Sequence, residues 1–141
     1  MATCKRLEKR MRFLIVEDDL SGVMLLRKIL TEYGDIEDVA DGPEAIEAFD
    51  KAWSEGSPFD IIFLDIMMPS MSGHEVLAAI RKREQDRCLP QIREVKVVMT
   101  TALDNADSVS QAFYEGRASA YLVKPILRHH VLEEMKKLGI V

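Results

Sequence analysis

The residues with chemistry to offer stand at the ends of short apolar runs. Ile61-Ile62-Phe63-Leu64 runs into Asp65, and Phe13-Leu14-Ile15-Val16 into Glu17-Asp18-Asp19. Val95 to Met99 runs into Thr100-Thr101, and Ser119 to Val123 into Lys124-Pro125. Taken alone, an acid closing an apolar run either caps the next turn or serves a ligand site at a strand tip. Several carboxylates brought to one place repel one another unless a cation joins them. A hard divalent ion fits that need, and Mg²⁺ suits two carboxylates, a carbonyl and several waters shared with a phosphate. Lys124 then supplies a fixed positive charge for phosphoryl transfer. Thr101 offers a hydroxyl to a phosphoryl oxygen, and Asp65 a carboxylate nucleophile.

These groups meet only if the runs are parallel strands with their C-terminal ends along one sheet edge. The pattern supports that arrangement. Residues 13–16, 35–40, 59–64, 95–100 and 119–123 read as strands, the second short and acidic and therefore at an edge. Helical spacing separates them. Val23, Leu26, Leu30 and Tyr33 mark a first helix ended by Gly34, and Ile46, Phe49 and Trp53 a second begun at Pro43. Val76, Leu77 and Ile80 mark a third over 72–83, and 84–94 reads as a long loop. Val109, Ala112 and Phe113 mark a fourth, with Asp104 or Asn105 as cap and Gly116 as stop. Leu127, Val131, Met135 and Leu138 mark the last. Five βα units imply a parallel sheet with helices on both faces and right-handed crossovers.

Composition removes other classes. A chain of 141 residues is one domain's worth. Net charge is −5, which argues against nucleic-acid binding. The first twelve residues carry +4 and the remainder −9, so residues 1–10 read as a basic arm, either solvated or a dock for an acidic partner or membrane surface. No apolar run approaches a membrane span, and the arm lacks the apolar stretch of a signal peptide. Cys4 and Cys88 form no metal or redox spacing. A cytoplasmic location is expected. No glycine-rich phosphate loop follows the first strand. His74, His129 and His130 do not cluster with the acids and read as surface residues.

Several motifs, in order and at βα spacing, then become specific. They are Val16-Glu17-Asp18, Asp65 followed by Met68-Pro69, Met71, Gly73 and Glu75, Thr101-Ala102, and Tyr121-Leu122-Val123-Lys124-Pro125. From residue 11 to the end the chain resembles the receiver domain of two-component response regulators, the family of the bacterial chemotaxis regulator. The resemblance implies a flavodoxin-like, doubly wound α/β fold with five parallel strands in the order 2-1-3-4-5 and five helices. It implies that Asp65 accepts a phosphoryl group from a histidine kinase or histidine phosphotransfer protein. Asp18 would ligate Mg²⁺ directly, Glu17 through water, and Met67 through its backbone carbonyl. Lys124 would pair with the phosphoryl group, Thr101 would be the switch hydroxyl, and Tyr121 the aromatic that follows it. The Lys124-Pro125 bond would be cis. Output would pass through the face of the fourth helix, fifth strand and fifth helix to an unknown downstream protein. The chain would act alone, as a monomer or a phosphorylation-dependent dimer to which Asp104, Arg117 and Arg128 contribute.

Three departures from the family pattern stand out. Glu17 occupies a place where Asp is common, and Ala120 one where Gly is common. Met67 and Leu103, two residues beyond Asp65 and Thr101, are both apolar and unable to orient water, so self-dephosphorylation should be slow. Two other classes compete. An Mg²⁺ phosphohydrolase with an Asp nucleophile would carry a second Asp where Met67 stands. A degenerate receiver, acting only as a binding module, would have lost one of the acids or the lysine.

Overall fold

A computed structural model describes residues 10–102 and 117–140. Five strands form one sheet: β1 (Met11–Val16), β2 (Gly34–Val39), β3 (Ile61–Asp65), β4 (Lys96–Thr101) and β5 (Ala120–Val123). Every pairing is parallel and the order is β2-β1-β3-β4-β5, with the acidic second strand at an edge. The described helices number four: α1 (Leu20–Leu30), α2 (Gly42–Ser54), α3 (Gly73–Asp86) and α4 (Arg128–Lys137). The remaining helix expected from the sequence, over residues 104–116, lies outside the described residues, as does most of the basic arm.

Strand alternation divides the apolar side chains between two layers. Leu14, Val16, Ile62, Leu64, Val97 and Met99 pack with α2 and α3 through Ala45, Phe49, Val76, Leu77 and Ile80. Phe13, Ile15, Ile61, Phe63, Val98 and Leu122 pack with α1 and α4 through Val23, Leu26, Ile29, Val131 and Met135. A strand apolar on both faces, such as β3, has a covered layer on either side, which is why it reads as an unbroken apolar run.

Local signals fix the helix ends. Asp41 caps α2 by accepting from the Glu44 amide at 2.9 Å, with Pro43 in the first turn. Ser72 and Glu75 form a capping box that starts α3. Two expectations differ from the structure. Gly34 does not end α1, which stops at Leu30 with Thr31 as cap. Gly34 opens β2, and a Cβ there would lie 2.2 Å from the Met11 carbonyl, so its role is close approach of β1 and β2. Residues 84–86 are not loop, because α3 runs on to Asp86 and buries Glu84. The Glu84 carboxylate accepts from Arg81 and from the Val95 amide, each at 2.6 Å, and Arg81 also donates to the Val95 and Arg117 carbonyls. A buried acid with its partners supplied locally satisfies the requirement for burial, which hydrophobic periodicity does not register.

Candidate metal and phosphoryl site

The site occupies the C-terminal edge of the sheet. β1 ends one residue before Glu17, β3 ends at Asp65, β4 at Thr101, and β5 one residue before Lys124. β3 lies between β1 and β4 and pairs its last residue, Asp65, with Thr100. Parallel pairing thus gathers groups from positions 17 to 124.

Carboxylate oxygens of Glu17, Asp18 and Asp65 all lie within 4.8 Å of one another. Glu17 and Asp65 are buried, 4% and 3% exposed, whereas Asp18 is exposed. The Lys124 ammonium lies 3.0 Å from Glu17 Oε1 and 3.5 Å from Asp65 Oδ2. Backbone amides hold the remaining oxygens. Asp19 N–H donates to Glu17 Oε2 at 3.3 Å, and Met67 N–H to Asp65 Oδ1 at 3.1 Å. Asp19 is the N-cap residue of α1.

Crowding shapes the titration. Loss of hydration, and then the hydrogen bond with Asp65, push the Glu17 carboxyl up to about 7, while Lys124 pulls the other way. Burial acts against the Lys124 ammonium, but its hydrogen bond to Glu17 and the charge of Asp65 outweigh this and raise its pKa. Three acids against one lysine leave a negative pocket in which Glu17 is only about half ionised at pH 7. A divalent cation relieves that excess, and an all-oxygen donor set of this kind suits Mg²⁺.

The two candidate switch residues stand on β4 and β5, next to β3 in the sheet order. Thr101 is buried and donates its hydroxyl to the Ala102 carbonyl at 3.3 Å. Met99 pairs with Tyr121 and Thr101 with Val123, so Thr101 and Tyr121 share a face, two residues apart in register. Tyr121 is 43% exposed. The Lys124-Pro125 bond is cis. Met67 is largely exposed, at 64%, whereas Met68 and Met71 pack against the α2–α3 core. Leu103 and Asp104 lie outside the described residues. Arg117 and Arg128, considered for a dimer contact, are engaged within the chain by Glu94 at 2.7 Å and Glu32 at 2.6 Å.

Two glycines shape the site: Gly73 is one of the motif residues, whereas Gly22 is not, and the sequence pattern assigns neither a role. Gly73, the first residue of α3, lies so close to the backbone of Asp65 that a Cβ would be 2.5 Å from the Asp65 carbonyl oxygen. Gly22, inside α1, lies against the Glu17 side chain. The available signal was a glycine interrupting a helical pattern, which generally has a packing or functional reason.

A family model described as the response regulator receiver domain matches residues 13–136. The chain is similar to the chemotaxis protein CheY of Listeria monocytogenes, with 33% identity over 90% of this chain and 97% of that protein. It is also similar to the response regulator PleD of Caulobacter vibrioides, with 39% identity over 82% of this chain. The chain spans only 23% of the length of PleD. Among solved structures, it superposes on a chain of the CheX–CheY–BeF₃–Mg²⁺ complex of Borrelia burgdorferi with a TM-score of 0.80. Identity there is 28%, over 96% of this chain and 93% of that one. Among the described residues, no helix is long and apolar enough to cross a membrane.

Proposed function

Because the chain belongs to the response regulator receiver domain family of two-component signalling, we propose that Asp65 accepts a phosphoryl group from a phosphohistidine. The donor is a histidine kinase or a histidine phosphotransfer protein. One observation carries the reading: a single ammonium, Lys124, reaches a buried carboxylate at a strand tip while two further acids crowd the same point.

Asp65 Oδ2 faces Lys124, and Asp65 Oδ1 is held by the Met67 amide. An Asp65 oxygen attacks phosphorus in line, the N–P bond of the donor breaks, and the donor imidazole leaves with its electron pair. Lys124 stays beside the transferring oxygens and offsets their charge. Glu17, Asp18, Asp65 and the Met67 carbonyl would hold Mg²⁺, which when bound neutralises charge shared by the carboxylates and the phosphoryl group. The new dianion draws the Thr101 hydroxyl from its bond to the Ala102 carbonyl, and Tyr121, on the same face, follows. The face that includes β5 and α4 changes shape and a partner protein reads it.

Residues 11–141 form this receiver in the proposal and residues 1–10 a basic arm. In the proposal the receiver acts as a module of its own in the cytoplasm. The protein assists only its own phosphorylation and dephosphorylation.

Incubation with acetyl phosphate and Mg²⁺, followed by intact mass, tests the reading. A gain of one phosphoryl group, lost in Asp65→Asn, is expected. No gain under conditions where a known receiver is modified would leave only a binding module.

A further inference from the structure

Gly22 is an expensive residue for its place. It is the third residue of α1, where alanine would favour the helix and where a glutamate or glutamine would complete a capping box with Asp19. Asp19 makes no side-chain cap bond, and α1 has no acid in its first turn. What the glycine provides is space beside the Glu17 side chain, to which the three nearest atoms belong. A Cβ at residue 22 would lie 3.3 Å from both Cγ and Oε1 of Glu17 and 3.4 Å from its Cδ. Of these, Cγ is the methylene a glutamate has in excess of an aspartate, and Cδ and Oε1 belong to the carboxyl it carries one step farther out.

Glu17 has little freedom to give way. Lys124 holds Oε1 at 3.0 Å and the Asp19 amide holds Oε2 at 3.3 Å. The side chain is 4% exposed. A push of a few tenths of an ångström is therefore transmitted to the ammonium that also serves Asp65 at 3.5 Å.

We propose that Gly22 is a positioning residue matched to the length of Glu17: its missing Cβ lets the longer acid reach the metal and lysine. The inference rests on the metal site proposed above. It takes the form of a pairwise coupling between residues 17 and 22, with no contact from Gly22 to the reacting atoms.

Mg²⁺ titration calorimetry on four proteins tests it: the natural chain, Gly22→Ala, Glu17→Asp and the double variant. In the natural background Gly22→Ala is expected to weaken Mg²⁺ binding roughly tenfold, as loss of a supporting contact does at metal sites. In the Glu17→Asp background the same change should alter affinity by less than about twofold, because the shorter acid has no atom in the place of Oε1, the lysine-bound oxygen the methyl would press on. Equal weakening in both backgrounds, or none in the first, overturns the proposal. A merely structural role would shift the urea midpoint equally in both backgrounds and show no coupling. A metal-free readout separates this proposal from the metal assignment. The carboxyl ¹³C resonance of Glu17, recorded without Mg²⁺, should move in Gly22→Ala while that of Glu84, at the far end of α3, stays fixed. An unmoved Glu17 resonance sinks the inference, whereas a natural chain that binds no Mg²⁺ sinks the metal site.

Discussion

Changing the pH at fixed Mg²⁺ tests the electrostatics of the site, and its outcome follows from one group. In the folded chain Glu17 titrates at about 7 instead of the ordinary 4.5. The folded protein therefore binds a proton that the unfolded chain has already released. Stability from this group is fully present below pH 4.5 and is lost as the pH rises through about 7. At 1.36 kcal/mol per unit, the displacement between 4.5 and 7 corresponds to about 3 kcal/mol. Metal binding needs the deprotonated carboxylate, so Mg²⁺ and the proton compete. Affinity should be about tenfold weaker at pH 6 than at pH 8, and binding at pH 7 should release about half a proton. Calorimetry in two buffers of different ionisation heat measures both quantities. Urea melts should show Mg²⁺ stabilising the fold more at pH 8 than at pH 6. Asp65→Asn removes the second-largest cause of the shift and should move the whole dependence to lower pH. An affinity constant from pH 6 to pH 8, with no buffer-dependent heat, would refute the reasoning.

Other outcomes follow from named contacts. Glu84→Gln leaves Arg81 buried beside a neutral partner and should cost about 3–5 kcal/mol in urea unfolding. Replacing both Arg81 and Glu84 by methionine should cost less than the single change, because no lone buried charge remains. Gly73→Ala would place a methyl 2.5 Å from the Asp65 carbonyl. It should slow phosphorylation by acetyl phosphate and lower stability despite the helix propensity gain of about 1 kcal/mol. Ser72→Ala breaks the capping box of α3 and should lower stability by about 1 kcal/mol, read from the same urea curves. Met67→Asn, placing an amide on an exposed position beside Asp65, should shorten the lifetime of the phosphorylated protein roughly tenfold, below what a full general base supplies. A lifetime unchanged in that variant removes Met67 from the account of slow decay.

The strands and the convergence of their tips were legible because apolar runs and terminal polar residues are local properties of the chain. Asp65 and Glu17 fall into this class. So does the start of α2, written in Asp41 and Pro43. The Glu84–Arg81 network was not legible, because helical periodicity treats a charge as outward-facing and the partner amide of Val95 lies eleven residues on. Gly34 misled for a related reason. A glycine after a helical pattern looks like a stop signal, whereas this one answers to a carbonyl on β1 that only the sheet pairing brings near. The roles of Gly22 and Gly73 depend on side chains and backbone across the fold, so composition and spacing carry no trace of what each glycine faces.

The two ends of α3 impose a dimension on the molecule. At one pole the Gly73 amide bonds to the Ile66 carbonyl at 2.9 Å, directly beside Asp65. At the other, Glu84 holds the Val95 amide at the mouth of β4. Eleven helical steps between those anchors span about 16 Å. Five strand steps from Val95 to Thr100, the residue paired with Asp65, span about the same. Helix and strand act as matched rulers laid side by side. A one-residue insertion or deletion in either would detune one anchor by a residue's rise and rotate a helix residue about 100° off its contact. Related chains should therefore vary freely in the residue types along the exposed side of α3 while keeping its length, and engineered changes of loop length belong before Gly73 or between Asp86 and Glu94.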